Sequence, residues 1–331
     1  MTEQQLKDIQ LLESWCRNVL QDQSLQVIPL TGDASFRRYY RVATEQDSYI
    51  AMVAPLSDNL DQFIHIAQHL QAQGLNAPLI VAAAKEQGLL LLADLGDELY
   101  LNLLNEATAE SLYLPALQAL LIMQKSQASA LAVFDQAFMV TQLEVFRHWY
   151  LETHLQLKLK ADTQKMLNQI FAWLCAEILQ QPYVFTHFDY HSRNLLQVPD
   201  QTLGILDFQD AMHGPITYDL SSLLKDSYIQ WPRDQVKNWV KNFYQLALNE
   251  KLLHNTSFEV FWHWFEITGL QRHLKNLGVF ARLHHRDGKP HYLQHLPLLL
   301  HYIQEVCESY QELKPLSHFL QHLPQTSATV A

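Results

Sequence analysis

Cysteine, long apolar runs and positive charge are all scarce in this chain of 331 residues, and each scarcity argues against a class of protein. The three cysteines, Cys16, Cys175 and Cys307, are odd in number and far apart. They cannot form a disulfide framework and fit reduced thiols in a cytosolic protein. No apolar run approaches the roughly 20 residues needed to cross a bilayer. The N-terminal "MTEQQLKDIQLLESW" reads as an amphipathic helix without the basic segment and apolar core of a signal peptide, so a cytoplasmic location is expected. Lys and Arg number 23 against 34 Asp and Glu, a net charge of −11, which argues against non-specific nucleic-acid binding. A nucleotide stays compatible, because magnesium and a few local donors can neutralise a triphosphate. Repeats and low-complexity tracts are missing as well, and no obligate protein partner is evident.

Apolar residues make up 48% of the chain, enough for a sizeable core in one large domain or two lobes. After the first helix come strand-like runs at 25–30, 37–42 and 48–53. Phe63, Ile66, Ala67 and Leu70 then mark one face of a helix over 59–73, stopped at Gly74. Two more apolar runs, 79–84 and 88–92, flank a turn. This β-β-β-α-β-β order predicts a small, mostly antiparallel sheet carrying one helix. From 99 to 181 the pattern is helical, and it is helical again over 217–249, 254–284 and 295–312. Short strands interrupt it at 183–207, where "NLLQV" and "LGILDF" flank the turn "PDQT". The expected fold is α+β, with a small β-rich N-lobe over 1–96, a connector near Ala93–Asp97 and a larger helical C-lobe over 97–331 with a hairpin embedded in it.

The stretch "THFDYHSRNLLQVPDQTLGILDF" (186–208) sets Asp189, Asn194 and Asp207 among strand formers. That spacing suits phosphoryl transfer. One carboxylate orients an acceptor hydroxyl and takes its proton, while a second carboxylate and an amide hold magnesium against nucleotide phosphates. Two other readings compete. His187, His191 and Asp189 could be a metal-ligand cluster of a hydrolase, although no second His/Cys cluster has ligand spacing. The stretch could also be a chemically idle turn.

With these residues in view, the stretch resembles the catalytic and metal-binding loops of the aminoglycoside phosphotransferase and choline kinase superfamily, relatives of protein kinases. The resemblance implies a two-lobed protein-kinase-like fold that uses ATP and Mg²⁺. It makes Asp189 the catalytic base and Asn194 and Asp207 the metal ligands. "GPITYDLSSLLKD" (214–226) adds Asp219 as a brace for the catalytic loop, together with His187. Three stretches narrow the likeness: "GDASFRRYYRV" (32–42), "HFDYHSRNLL" (187–196) and the segment 269–297. Together they resemble bacterial cell-wall amino-sugar kinases, which act on the anomeric hydroxyl of N-acetylmuramate and N-acetylglucosamine. Kinases for other hydroxyl acceptors, such as aminoglycosides or choline, and a nucleotide-binding pseudokinase are the alternatives.

The chain departs from the kinase pattern in one respect. A strand-three lysine grips the α/β-phosphates in protein kinases and pairs with a helix glutamate. Here Met52 occupies the lysine position, and the helix 59–73 contains no glutamate. Losing both together makes sense, because a buried carboxylate left without its cation costs about 3–5 kcal/mol. Ser35 and Phe36 in the 32–36 turn, with Arg37, are the candidates to meet the phosphates. Alternation sends Arg37 and Arg41 to one face and Arg38 to the other, and either face is compatible with the nucleotide. By analogy the backbone from Ala93 to Leu95 holds adenine, with Met52 as an apolar wall.

The helix over 254–284 and its continuation carry a basic stripe of Arg272, Lys275, Arg282 and Arg286 opposite Leu270, Leu274, Leu277 and Ala281. It is either a solvated face or part of an acceptor pocket meeting an anion such as the lactyl carboxylate of N-acetylmuramate. Arg193, Arg272 and Arg282 are the candidates for the sugar.

Overall fold

A computed structural model describes residues 2–30, 36–128, 130–199 and 202–323. The chain divides into two compact units: residues 1–105 with 193–209, and residues 106–192 with 210–331.

The first unit is built on an antiparallel sheet. Its strands are β1 (Gln26–Pro29), β2 (Arg38–Ala43), β3 (Ser48–Val53), β4 (Ile80–Ala84) and β5 (Leu89–Ala93), in the order β1-β2-β3-β5-β4. The expected runs therefore form strands, β3 with the same bounds. Alternation divides the faces. Tyr40, Val42, Ala51, Val53, Leu89 and Leu91 cluster with Leu12 and Cys16 of helix α1 (Glu3–Leu20). Tyr39 lies opposite Met52, and Met52 opposite Leu90, on the other face. Helix α2 (Leu60–Ala72) starts at the N-cap Asn59 and buries Phe63, Ile66, Ala67 and Leu70.

Segment 193–209 belongs to this unit, whereas the sequence reading places it within 97–331. It forms the hairpin of β7 (Leu195–Gln197) and β8 (Leu203–Ile205). Leu196 bridges to Leu99, Gly204 bridges to Asn76, and Gln62 donates to the Gln209 carbonyl at 2.9 Å. Gly204 eases this packing, since a Cβ would meet the side chains of Val198, Leu95 and Leu196 at 3.1–3.3 Å.

The second unit is mostly helical. It contains α4 (Ala109–Lys125), α5 (Gln136–Val145), a π-helix (Phe146–His154), α6 (Ala161–Ile178), α7 (Tyr218–Leu224) and α8 (Arg233–Asn249); α3 (Tyr100–Leu103) is a single turn in the first unit. Helix α9 (Phe258–His285) is its central rod, followed by α10 (Leu296–Ser309) and α11 (Lys314–Gln321). Leu270, Leu274, Leu277 and Ala281 of α9 pack with Phe146, Leu174 and Ile303 in one core. A Cβ on Gly278 would come within 2.3 Å of the Val145 carbonyl, so glycine lets α9 close on the π-helix. Strand β6 (Tyr183–Thr186) pairs antiparallel with β9 (Met212–Pro215). No helix among the described residues is long and apolar enough to cross a membrane.

Candidate active site

In the first unit, the hairpin brings two of the expected metal ligands together. The Leu206 N–H donates to the Asn194 carbonyl at 2.9 Å and closes the hairpin base. Asn194 Nδ2 then lies 3.4 Å from Asp207 Oδ2, although the two are 13 positions apart. Asp207 has φ of +60°, a left-handed conformation uncommon outside glycine and reached among other residues most readily by Asn and Asp. Such strain costs about 1–3 kcal/mol and persists where surrounding structure enforces it, commonly at functional sites. Gln209 Nε2 holds the other carboxylate oxygen at 2.8 Å. Arg193 opens the same segment and is half-buried.

The arginines of β2 and the one just before it divide between the faces. Arg38 pairs with Asp8 of α1, which also accepts the Tyr40 hydroxyl at 2.6 Å. Arg41 binds Asp94 at 2.6 Å and Asp97 at 2.7 Å, tying the connector to the sheet. Arg37 Nε donates to Asp58 at 2.9 Å, and its guanidinium sits 5.8 Å from the centre of the Phe63 ring. Burial alone would pull the Arg37 pKa down, but Asp58 and Asp207, with Tyr39, hold it above its ordinary value. Burial pushes the neighbouring Tyr39 hydroxyl up to about 12, reinforced by the charge of Asp207. Ser35 lies outside the described residues, and Phe36 is exposed. Met52 is wholly buried, and Leu95 is buried. The Ala93 N–H is engaged by the Leu79 carbonyl at 2.8 Å.

In the second unit, Asp189 sits in a loop pinned on both sides. Upstream, the buried Asp219 accepts the backbone N–H groups of His187 at 2.6 Å and Phe188 at 3.0 Å. Phe188 has φ of +81°, and its ring stacks on Tyr218 with 5.2 Å between centroids and 5° between planes. Downstream, Asp226 accepts both the backbone N–H and the hydroxyl of Ser192, at 3.0 and 2.5 Å. Tyr190 donates to the Ala116 carbonyl at 2.9 Å.

The basic stripe divides in the structure. Arg272 and Lys275 are 2% and 7% exposed, so they are not a solvated face. The Lys275 ammonium lies 4.4 Å from the centre of the Phe188 ring, and the Arg272 guanidinium 5.1 Å from that of Tyr218. Arg282 is half-buried and its charge is felt at Lys275, whereas Arg286 is exposed and pairs with Asp287. Burial pushes Asp189 up, but the positive charges of Lys275 and Arg272 hold its carboxyl below the usual range. Burial raises Asp219 to about 7 against the pull of its two backbone donors. Lys275 is lowered to about 8 by burial, partly offset by Asp189.

Sequence reasoning missed Asp58, Asp226 and the part Lys275 plays beside Asp189. The donor set of Asn194 and Asp207 fits magnesium, which takes one or two protein oxygens and completes its shell with water and phosphate. Among the described residues no group of three His, Cys, Asp or Glu could hold a metal ion, so the hydrolase-type cluster around His187 and His191 is not built.

Residues 26–254 match the phosphotransferase enzyme family. The chain belongs to that family. It is 39% identical over 302 residues to the N-acetylmuramate/N-acetylglucosamine kinase of Pseudomonas aeruginosa, covering 91% of this chain and 89% of that protein. It is 34% identical over 322 residues to the kinase of the same name from Neisseria meningitidis serogroup B, covering 94% and 95%. Among solved structures, the choline kinase LicA from Streptococcus pneumoniae superposes with a TM-score of 0.62 at 12% identity, covering 91% of this phosphotransferase and 99% of that chain. The ADP-bound aminoglycoside phosphotransferase APH(2'')-Ib gives 0.58 at 13% identity, covering 89% and 98%. The fold of this phosphotransferase is thus the protein-kinase-like fold, a small antiparallel sheet region and a larger helical part.

Proposed function

We propose that this phosphotransferase moves the γ-phosphoryl group of ATP to the anomeric hydroxyl of N-acetylmuramate, N-acetylglucosamine or both, serving cell-wall sugar recycling in the cytoplasm. The observation that carries this reading is the 39% identity, over nearly the whole chain, to a kinase of that name. The loop geometry supports it chemically. Asp189 accepts the proton of the sugar hydroxyl as that oxygen forms its bond to the γ-phosphorus and the bond to the bridging oxygen of ADP breaks. Lys275 and Arg272 keep the carboxylate ionised, and Asp219 and Asp226 fix the loop that carries it.

Asn194 and Asp207 are the residues that would hold Mg²⁺, which neutralises phosphate charge when bound. Residues 1–96 with the 193–209 hairpin handle the nucleotide, and the remainder of 97–331 supplies the base and the sugar contacts. Most of the catalysis is positioning and charge neutralisation, because an anomeric hydroxyl is more acidic than an ordinary alcohol. A cationic acceptor such as choline or an aminoglycoside would meet like charges from Lys275 and Arg272, which disfavours those alternatives.

An ADP-release screen of the full chain against a sugar panel tests the reading, with the phosphate position assigned by NMR. The expected product is the sugar 1-phosphate of one or both amino sugars. Release of ADP with choline or an aminoglycoside but with no amino sugar would overturn it, and acceptor-independent binding without turnover would establish the pseudokinase instead.

A further inference from the structure

The cation and carboxylate that strand three and α2 lack are present elsewhere on the same face of the sheet. Met52 stands opposite Tyr39 in the β2–β3 register. Period-two alternation places Arg37, two residues before Tyr39, on the Met52 face. Its counter-ion is Asp58, directly before Asn59, the residue that caps α2. The pair is partly shielded, with side-chain exposures of 12% for Arg37 and 29% for Asp58. The guanidinium packs on Phe63, whose ring lies 4.9 Å from that of Phe208, the neighbour of Asp207. The other two arginines of the cluster are committed elsewhere: Arg38 to Asp8 on the α1 side, and Arg41 to Asp94 and Asp97.

We propose that the Arg37–Asp58 pair replaces the lysine–glutamate pair of kinases, with Arg37 binding the phosphate oxygens of the nucleotide and Asp58 fixing its guanidinium. This rests on the reading that Asn194 and Asp207 serve the same phosphates. An arginine meets phosphate with parallel N–H donors in a fixed plane, a geometry that methionine lacks and lysine does not reproduce. The device also explains why a helix without glutamate is tolerated: the carboxylate has moved into the turn that leads into the helix. A merely structural ion pair would sit in the same place but would be indifferent to whether a nucleoside carries phosphate.

Calorimetric titration of ADP and of adenosine into the full-length chain separates the two. Arg37→Met is expected to weaken ADP by about tenfold or more while adenosine changes less than about twofold, and to lower kcat/KM for ATP by about 10²-fold or more. Asp58→Asn should give a smaller loss in the same direction, and the double variant should be no worse than Arg37→Met alone. If Arg37→Met is not recovered folded, Arg37→Lys carries the test, with ADP weakened about threefold or more and adenosine unchanged. Equal changes for ADP and adenosine, or unchanged ADP affinity in a variant of an active chain, overturn the assignment. A wild-type chain whose ADP affinity depends on Arg37 but which phosphorylates no amino sugar sinks the proposed acceptor and leaves the Arg37 assignment standing.

Discussion

Asp219→Asn is the most searching perturbation of the catalytic loop, because the carboxylate touches no expected substrate and acts only through backbone. Its two oxygens each accept one N–H, from His187 at 2.6 Å and from Phe188 at 3.0 Å. Hydrogen bonds to a charged group contribute about 1.5–3 kcal/mol each. An asparagine keeps one acceptor and turns an NH₂ group toward the second N–H, so one bond is lost and a donor faces a donor. The buried Arg272 also loses a nearby negative charge. The lost bond and the facing donor are partly offset because asparagine carries no charge to bury, the same desolvation that lifts the Asp219 carboxyl to about 7, so the expected destabilisation is about 1–3 kcal/mol, read as a shift of the urea midpoint at pH 8. Function should respond as well. Phe188 is held at φ +81° immediately before Asp189, and once its tether goes, a displacement of the base by 1 Å costs about 10²-fold in kcat. Adenine-nucleotide affinity should stay within about twofold, because Arg37, Asn194 and Asp207 all belong to the other compact unit. A variant with an unshifted urea midpoint and near-normal kcat would refute the bracing argument. Equal losses in kcat and nucleotide affinity would show that the loop does not act locally.

Asp189→Asn should lower kcat by about 10²–10⁴-fold in the ADP-release assay while ADP still binds; a near-normal rate would remove Asp189 as base. Asp207→Ala should raise the magnesium concentration needed for half-maximal activity, and unaltered metal dependence would count against its role. Lys275→Met gives a pH signature. The native ammonium titrates near 8, below its ordinary value of 10.5, so between those limits the unfolded chain binds more protons and stability rises with pH through this group. The stability of the wild type relative to Lys275→Met should therefore climb by up to about 1.4 kcal/mol per pH unit from pH 8 to 10, measured by urea unfolding. A flat difference would place Lys275 in a more solvated setting.

The strands of the first unit were legible because alternation is local: β3 appears as the run 48–53 itself. The β-β-β-α-β-β order became one antiparallel sheet with its helix. Where the reading departs from the structure, a non-local cause is visible. The span 217–249 divides into α7 and α8, with Pro232 at the N-cap of the second, since proline has no N–H for a helix interior. Strand β9, "MHGP", has almost no strand propensity and exists because its backbone pairs with β6 some thirty residues away. The π-helix 146–154 looks like any helix in sequence, and the close approach of Gly278 on α9 to its first turn is tertiary.

The candidate site shows the same division between local and distant determinants. Asp189, Asn194 and Asp207 fall within one short stretch, so their candidacy was visible from spacing, and the hairpin does bring Asn194 and Asp207 together. The groups that surround and brace this segment and Arg37 come from far along the chain. Asp58 reaches Arg37 across 21 positions and Asp226 reaches Ser192 across 34, while Lys275 comes from a helix that starts at 258. The stripe on that helix could not be divided from sequence, because helical periodicity states only that Arg272, Lys275, Arg282 and Arg286 share a side. Burial decides what each cation does: Arg272 and Lys275 are enclosed beside Asp189, Arg282 is half-buried, and Arg286 is left with Asp287. Enclosing cations in an acidic protein is costly unless they meet negative charge. Here the negative charge comes from Asp189, felt by both cations, and from Asp219 beside Arg272, so under the proposed function the buried cations and an ionised base would stabilise one another.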